Sequence, residues 1–379
     1  MDFGLSEEQR SIQGLARDLA TQQFAPNAAD WDEHEIFPKL VLQDTAKLGF
    51  AGICVAPDVG GSGLDRTAAA IIFEELATGC ASTAAYISIH NMVAWMIDHY
   101  GSNSQRHMWL PRLCSMDYFA SYCLTEPDAG SDPASLSTRA VRSGDCYILN
   151  GSKAFISGGS QSDLYLCMVR TGDAGAGGIS CIVVEMGTSG LSFGRLERKL
   201  GWGSQPTTMV NFSDCRVPTS NLIGSEGDGF KIAMQGLDAG RLNIAACSIG
   251  AARYCLDLSR QHLLARKQFG NRLSEFQALQ FKIADMATEL EAARLLMWRA
   301  SHEYDMGAAD ATLYAAMAKR LATDVGYHVV NEALQLHGGY GYMKDLPIER
   351  FLRDVRVHQI LEGTNEVMRI IIARKLLDL

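Results

Sequence analysis

The strongest constraint on the fold is a change of hydrophobic period that happens twice along the chain. Up to about residue 116 apolar residues recur every three or four positions. Between about 117 and 225 they alternate, and from 226 onward the longer spacing returns in extended runs. The first pattern belongs to helices buried along one stripe, the second to strands with one buried face. The order α, then β, then α leaves little room for βαβ units, so a Rossmann domain is not expected and a dinucleotide would have to be held another way. The expected class is α+β. It comprises an N-terminal helical domain (1–116), a middle antiparallel, barrel-like β domain (117–225) and a C-terminal four-helix bundle (226–379). A chain of 379 residues is long enough to bury a core in each.

Local signals refine each part. Ser6-Glu7-Glu8-Gln9 is a capping box, followed by Ile12, Leu15, Ala16 and Leu19 on one face, and Pro26 ends that helix. Further helices are expected over 38–48, 66–78, 83–100 and 103–114. The glycine-rich loop at 58–63 lacks the third glycine of a nucleotide fingerprint, because Arg66 stands there, and it reads as a plain loop. In the middle domain, 118–124, 164–170, 179–185 and 208–212 read as strands. Asn150-Gly151 predicts a hairpin turn between Cys146–Leu149 and Ser152–Ser157. Beyond it, helices are expected over 227–266, from a capping box at Ser274–Gln277 to 304, and over 309–337, ending at Gly338-Gly339. A short helix opened by Pro347 and a last one capped by Thr364 complete the bundle.

Composition narrows the partners. The net charge of −9 argues against general binding to nucleic acid or a membrane surface. Ten cysteines without a C-x-x-C read as reduced and mostly buried, and the nine histidines show no metal-ligand spacing. No apolar run approaches membrane-spanning length. The acidic N-terminus does not read as a secretory or mitochondrial targeting segment. The expected location is therefore the cytoplasm of a bacterium, or the mitochondrial matrix for a mature eukaryotic form.

One carboxylate stands out. Glu362 follows Ile360-Leu361 and precedes Gly363 and the N-cap Thr364. Apolar neighbours raise the pKa of a carboxyl toward that of a general base, whereas a nearby helix N-terminus lowers it. The residues alone leave that balance open.

Several further stretches fall in an order that resembles the acyl-CoA dehydrogenase family. They are Tyr122-Cys123-Leu124-Thr125-Glu126-Pro127-Asp128-Ala129-Gly130-Ser131-Asp132, Arg266-Lys267-Gln268-Phe269-Gly270, Gln335-Leu336-His337-Gly338-Gly339-Tyr340-Gly341-Tyr342 and Leu361-Glu362-Gly363-Thr364. The resemblance spans essentially the whole chain and implies FAD as cofactor, with Glu362 as the base that takes the α-proton of an acyl-CoA. It further implies that Tyr122, Cys123, Leu124, Thr125, Glu126, Gly130 and Ser131 run along the flavin, Ser131 also reaching the acyl-CoA. Phe155-Ile156-Ser157 stands where the family has Trp-Ile-Thr, and Ser157 keeps the hydroxyl. Arg266, Phe276, Gln277, Gln335, Leu336, His337, Gly338 and Gly339 would reach the FAD of a neighbouring subunit, making the protein a homo-oligomer, a tetramer by resemblance. Thr364, Asn365 and Glu366 would line the flavin side. Asp238, Ala239, Gly240, Arg241, Gly363 and Arg374 would contact the acyl-CoA.

Some family members carry their base at the position of Gly240; glycine there leaves Glu362 as the base the pattern offers. The runs Ile87–Met92 and Gly151–Gly158 resemble members acting on isobutyryl-CoA. The expected reaction is therefore isobutyryl-CoA to methacrylyl-CoA, as in valine catabolism, with electrons passing to an electron-transferring flavoprotein. The alternatives are 2-methylbutyryl- or butyryl-CoA as substrate, and, in another class, a non-catalytic assembly protein on the same fold.

Overall fold

The computed structural model describes residues 4–379, so the reading of the N-terminal segment lies partly outside the described residues. The N-terminal part is helical: α1 (Glu7–Leu19), α2 (Ala28–Glu33), α3 (Lys39–Lys47), α4 (Arg66–Gly79), α5 (Ala81–Tyr100) and α6 (Asn103–Cys114). Ser6 and Gln9 form the expected capping box at α1, each side chain accepting from the other's backbone N–H. The short helix α2 has no clear periodic signal in the sequence, and Trp31 is its main buried side chain. Helices α4 and α5 are buried almost all round, and their apolar residues share a core with the bundle.

Eight strands follow: β1 (Ala120–Cys123), β2 (Arg139–Ser143), β3 (Cys146–Ser157), β4 (Leu164–Arg170), β5 (Ile179–Glu185), β6 (Leu191–Phe193), β7 (Thr207–Pro218) and β8 (Leu222–Ile223). The sheet runs β6-β7-β3-β2-β4-β5-β8, with β1 beside β4. Most neighbours are antiparallel. However, β1 lies parallel to β4, from Ala120 opposite Leu164 to Cys123 opposite Cys167, a pairing that short antiparallel turns cannot produce.

The expected hairpin at Asn150-Gly151 is not a turn. The reversal lies at Gly144-Asp145, and β3 continues through both residues with a bulge between Leu149 and Gly151 against β7. Gly151 is needed there because φ is 141° and a Cβ would stand 2.6–2.9 Å from Thr138. Asn150 instead ties the bulge by accepting from the Asp214 backbone N–H at 2.9 Å.

The C-terminal part contains α7 (Gly229–Ala265), a small ribbon of β9 (Lys267–Gln268) and β10 (Asn271–Arg272), then α8 (Gln277–Asp305), α9 (Ala311–His337), α10 (Ile348–Arg356) and α11 (Asn365–Leu376). The predicted capping box at Ser274–Gln277 is displaced. A 3-10 turn occupies Leu273–Glu275, the Glu275 carboxylate accepts from the Arg272 backbone N–H, and α8 begins only after it. The long helix α7 packs on α9, α8, α4 and α5, and so fixes the bundle against the N-terminal helices. Its Leu242, Ala245, Ala246, Ile249 and Ala252 are buried at the centre of the largest core.

Candidate active site

Glu362 sits where the chain turns from the segment after α10 into α11. Its φ of 54° is left-handed, an unusual conformation for a residue with a side chain, and Gly363 follows at 90°. The turn is held from three sides. Thr364 caps α11 by accepting from the Val367 N–H at 3.3 Å. Arg241 Nε donates to the Glu362 carbonyl at 3.1 Å, and Lys319 Nζ donates to the Gly363 carbonyl at 2.8 Å. The carboxylate itself is free: Oε2 is buried and accepts no hydrogen bond. Burial raises the Glu362 pKa to about 7, against the opposing charges of Lys319 and Arg241. Desolvation thus wins the contest that the sequence left open, and the charges opposing it come from two side chains.

Gly240, on α7, lies directly under that carboxylate. A Cβ at position 240 would stand 2.7 and 2.8 Å from its two oxygens. The Tyr122 hydroxyl of β1, within reach of the Glu362 charge, is also buried without a partner. Burial raises its pKa well above the ordinary tyrosine value, and the charge of Glu362 pushes the same way. The sheet and the bundle therefore aim one unpartnered polar group each at the same region.

An apolar wall completes the surroundings. Trp202, Ala85 and Ile244 form a small buried cluster with Val357 and Leu361 against it. Trp202 is left-handed at φ 60° and donates its backbone N–H to Asp354 at 2.6 Å. The sequence analysis missed this wall. Its signal was a bulky aromatic between Gly201 and Gly203, both of which pack against other backbone where a Cβ would collide.

The 122–131 segment divides into side chains that are free and side chains that are not. Cys123 and Leu124 are in the core, as is Ile156 of the facing strand, so these offer backbone only. The Glu126 side chain is structural, so this residue, too, offers only its backbone to a ligand. It is buried with Lys153 at 2.8 Å and also accepts from the backbone N–H groups of Ser137 and Thr138. Burial alone would raise its pKa, but Lys153 and these donors bring it down to about 2. The result is a rigid frame: Lys153 also bonds the Leu124 carbonyl, and Thr125 accepts from Ala154. Gly130 and Ser131 remain exposed, with open space where a Gly130 Cβ would stand. Phe155 is 69% exposed at φ 59°, a strained position for an aromatic residue. Ser157 pairs across the sheet with Thr207, whose hydroxyl, like that of Thr208, is buried without a partner.

A second concave region lies at the far ends of α7 and α9. It is a groove of about 650 Å³ lined by residues that include Arg266, Gln335, Leu336, His337, Gly338, Gly339 and Tyr340. Phe276 is partly buried against Phe269 just beyond it, and Gln277 is exposed. A Cβ at Gly338 or Gly339 would meet nothing within 4 Å, so the chain's own packing does not demand glycine at 339. Along α7, the 22 residues from Gly240 to His262 put groove and carboxylate about 33 Å apart.

Other expected contacts are placed differently. Asn365 is buried, with its amide bonded to Lys319, Thr323 and Asp324, which leaves it no free group for a ligand. Ala239 is fully buried, and Asp238 and Arg241 pair with each other at 2.6 Å. Glu366 is exposed in the first turn of α11, and Arg374 in its last, about 15 Å from Thr364 along the helix.

A base-like carboxylate between a β domain and a helical bundle, with helices in front, defines a class: the chain belongs to the acyl-CoA dehydrogenase family. The family models for the N-terminal, middle and C-terminal domains match residues 6–117, 121–215 and 227–377. The mitochondrial isobutyryl-CoA dehydrogenase of Bos taurus is 56% identical over 376 residues, covering 99% of this chain and 90% of that protein. Among solved structures, a chain from the work on the electron transferring flavoprotein of Acidaminococcus fermentans matches with a TM-score of 0.97 and 40% identity, over all of both chains. PigA with FAD and proline matches with a TM-score of 0.96 and 30% identity, over 99% of each chain. Among the described residues, no helix is long and apolar enough to cross a membrane.

Proposed function

We propose that this chain is an FAD-dependent dehydrogenase of a short branched acyl-CoA, taking isobutyryl-CoA to methacrylyl-CoA, with Glu362 as the base. The observation that carries the reading is the carboxylate itself, with Oε2 buried, unpartnered and facing a glycine. A thioester acidifies its α-carbon only weakly, so the base must be poised near neutrality and shielded from water. Its pKa of about 7 meets the first need. Burial favours the neutral carboxyl, so accepting a proton moves Glu362 toward the form its surroundings prefer.

The residues present fit a flavin. The Tyr122 and Thr207 hydroxyls are buried without partners, Phe155 is strained and exposed, and Gly130 opens onto free space. Tyr122, Thr125, Ser131 and Ser157 would hold it, with Thr364 nearby. A bound FAD supplies the acceptor for the β-hydride. Arg266 and the open Gly338-Gly339 pair suit a pyrophosphate, by bidentate pairing and close backbone approach. Because the groove lies so far from Glu362 on its own chain, it would serve the cofactor of a second copy. This supports a homo-oligomer, proposed as a tetramer. The electron acceptor is proposed to be an electron-transferring flavoprotein. The relative's mitochondrial setting supports the matrix, with the bacterial cytoplasm as the alternative placement.

The test is anaerobic flavin bleaching with a panel of acyl-CoA thioesters. The protein should purify yellow, isobutyryl-CoA should bleach it fastest, and Glu362→Gln should keep its flavin unbleached. A methylene is worth about 1–3 kcal/mol, so 2-methylbutyryl-CoA, one methylene larger, should fall behind by roughly 10- to 200-fold, and the straight-chain isomer butyryl-CoA should also bleach more slowly. A colourless protein that FAD does not reconstitute would sink the enzyme reading. Bleaching of Glu362→Gln at the wild-type rate would remove the base assignment.

A further inference from the structure

Behind the Glu362 turn lies a group that the proposed chemistry does not use. Lys319, on α9, is fully buried. Its Nζ donates to two neutral acceptors, the Gly363 carbonyl at 2.8 Å and Asn365 Oδ1 at 2.9 Å. Burying an ammonium without a bonded carboxylate is costly, and an apolar side chain of similar length would pack there more cheaply. The charge therefore calls for a reason. Arg241, the other cation at the turn, is paired with Asp238, which also accepts from Thr312. Lys319 has no such local counter-ion, and its positive field falls on Glu362.

We infer that Lys319 is a positioning residue for the base: its two hydrogen bonds pin the left-handed Glu362-Gly363 turn, and they set a buried positive charge behind the carboxylate. The inference rests on the reading of Glu362 as base. Burial lowers the Lys319 pKa to about 8, with the Glu362 charge acting against that fall. The ammonium is thus largely charged at the midpoint of the Glu362 titration and loses its charge only above it. The other titratable or charged groups facing the turn do not replace it. On α7 these are Arg241, tied to Asp238, and Cys247, whose thiol burial pushes up. From β1 comes Tyr122, kept protonated by burial. His358, after α10, is kept neutral by burial and by Lys319. Asp324, on α9 itself, is one residue removed, accepting from Asn365 at 2.7 Å, and Glu366, on α11, is exposed to solvent; both are acidic and cannot replace a cation.

The experiment compares Lys319→Gln and Lys319→Met holoenzymes with wild type and Glu362→Gln, following the pH dependence of flavin reduction by isobutyryl-CoA. Gln keeps hydrogen-bond donors without the charge; Met keeps neither. An opposite charge near a carboxylate lowers its pKa by about 1–3 units, so both variants should move the acid limb up by one to two pH units, with a rate loss of about 10- to 100-fold near pH 6. At high pH Gln should approach the wild-type rate, whereas Met should stay below it because the turn is unpinned. An unmoved acid limb in Lys319→Gln, with Glu362→Gln inert, overturns the inference. Activity in Glu362→Gln would instead remove the base reading. If neither Lys319 variant folds, infrared titration of the Glu362 carboxyl in wild type decides. A midpoint below about 8 supports the inference, and one at or above about 8, where burial without a cation places a glutamate, overturns it.

Discussion

Replacing Gly240 by alanine separates stability from catalysis at one methyl group. Gly240 lies within α7, where alanine is favoured over glycine by roughly 0.8–1 kcal/mol. The new Cβ would stand 2.7 Å from Glu362 Oε2, 2.8 Å from Oε1 and 2.9 Å from Cδ. Ordinary contact begins at 3.4 Å, so the carboxylate must retreat by at least 0.7 Å, the difference between 3.4 and 2.7 Å. Because the obstacle is the end of a side chain, the backbone need not move. The helix gain and the repositioning strain should nearly cancel, leaving stability within about 1 kcal/mol of wild type. Reactivity should not escape so lightly, since a misplacement of about 1 Å can cost roughly 100-fold. Gly240→Ala is therefore expected to keep its melting temperature and flavin content while anaerobic reduction by isobutyryl-CoA slows 10- to 100-fold. Wild-type reduction in a stable, flavin-loaded Gly240→Ala protein would refute the placement of the base over residue 240.

Three further outcomes follow from the same structure. Lys153→Met strands the buried Glu126 charge and should destabilise the fold by about 3–5 kcal/mol in denaturant titrations at neutral pH. The folded pKa of Glu126 is depressed, so in wild type its contribution is present above its unfolded value of 4.5 and fades as pH falls toward about 2. Glu362 has the opposite sign: its folded pKa is raised from 4.5 to about 7, so wild-type stability declines as pH rises through that window. Glu362→Gln removes the decline and should be more stable above pH 7, by about 3 kcal/mol at most, in thermal melts at several pH values. Gly339→Ala meets open space and should leave apoprotein stability within about 0.5 kcal/mol while weakening FAD retention on dialysis; unchanged retention would argue against the groove as a cofactor contact.

The two changes of hydrophobic period were enough to read the three-part order, because each element buries a stripe set by its own backbone repeat. The glycine pair at 338–339 and the Thr364 cap were legible for the same local reason. Asn150-Gly151 misled because the dipeptide that suits a two-residue turn also suits a bulge, and only the position of β7 decides between them. At the site, a motif could not tell which side chains point outward. Glu126 and Asn365 sit among candidate ligand contacts in the sequence, yet their polar atoms are taken up by Lys153, Ser137 and Thr138, and by Lys319, Thr323 and Asp324. Lys319 itself was invisible. It lies 43 residues before Glu362, in the middle of an apolar helical face, and only packing of α9 against the turn gives it a role.

The distance along α7 also has a genetic reading. A stiff rod of 37 residues, about 55 Å long, keeps the carboxylate and the groove of one polypeptide permanently apart. If each centre draws its base from one copy and its groove from another, lesions in the two places belong to different complementation groups within one gene. Co-expressed Glu362→Gln and Arg266→Ala chains, each inactive alone, should form mixed pairs in which one centre inherits both defects and the other neither. Two silent alleles would together restore activity that no single copy of either could provide.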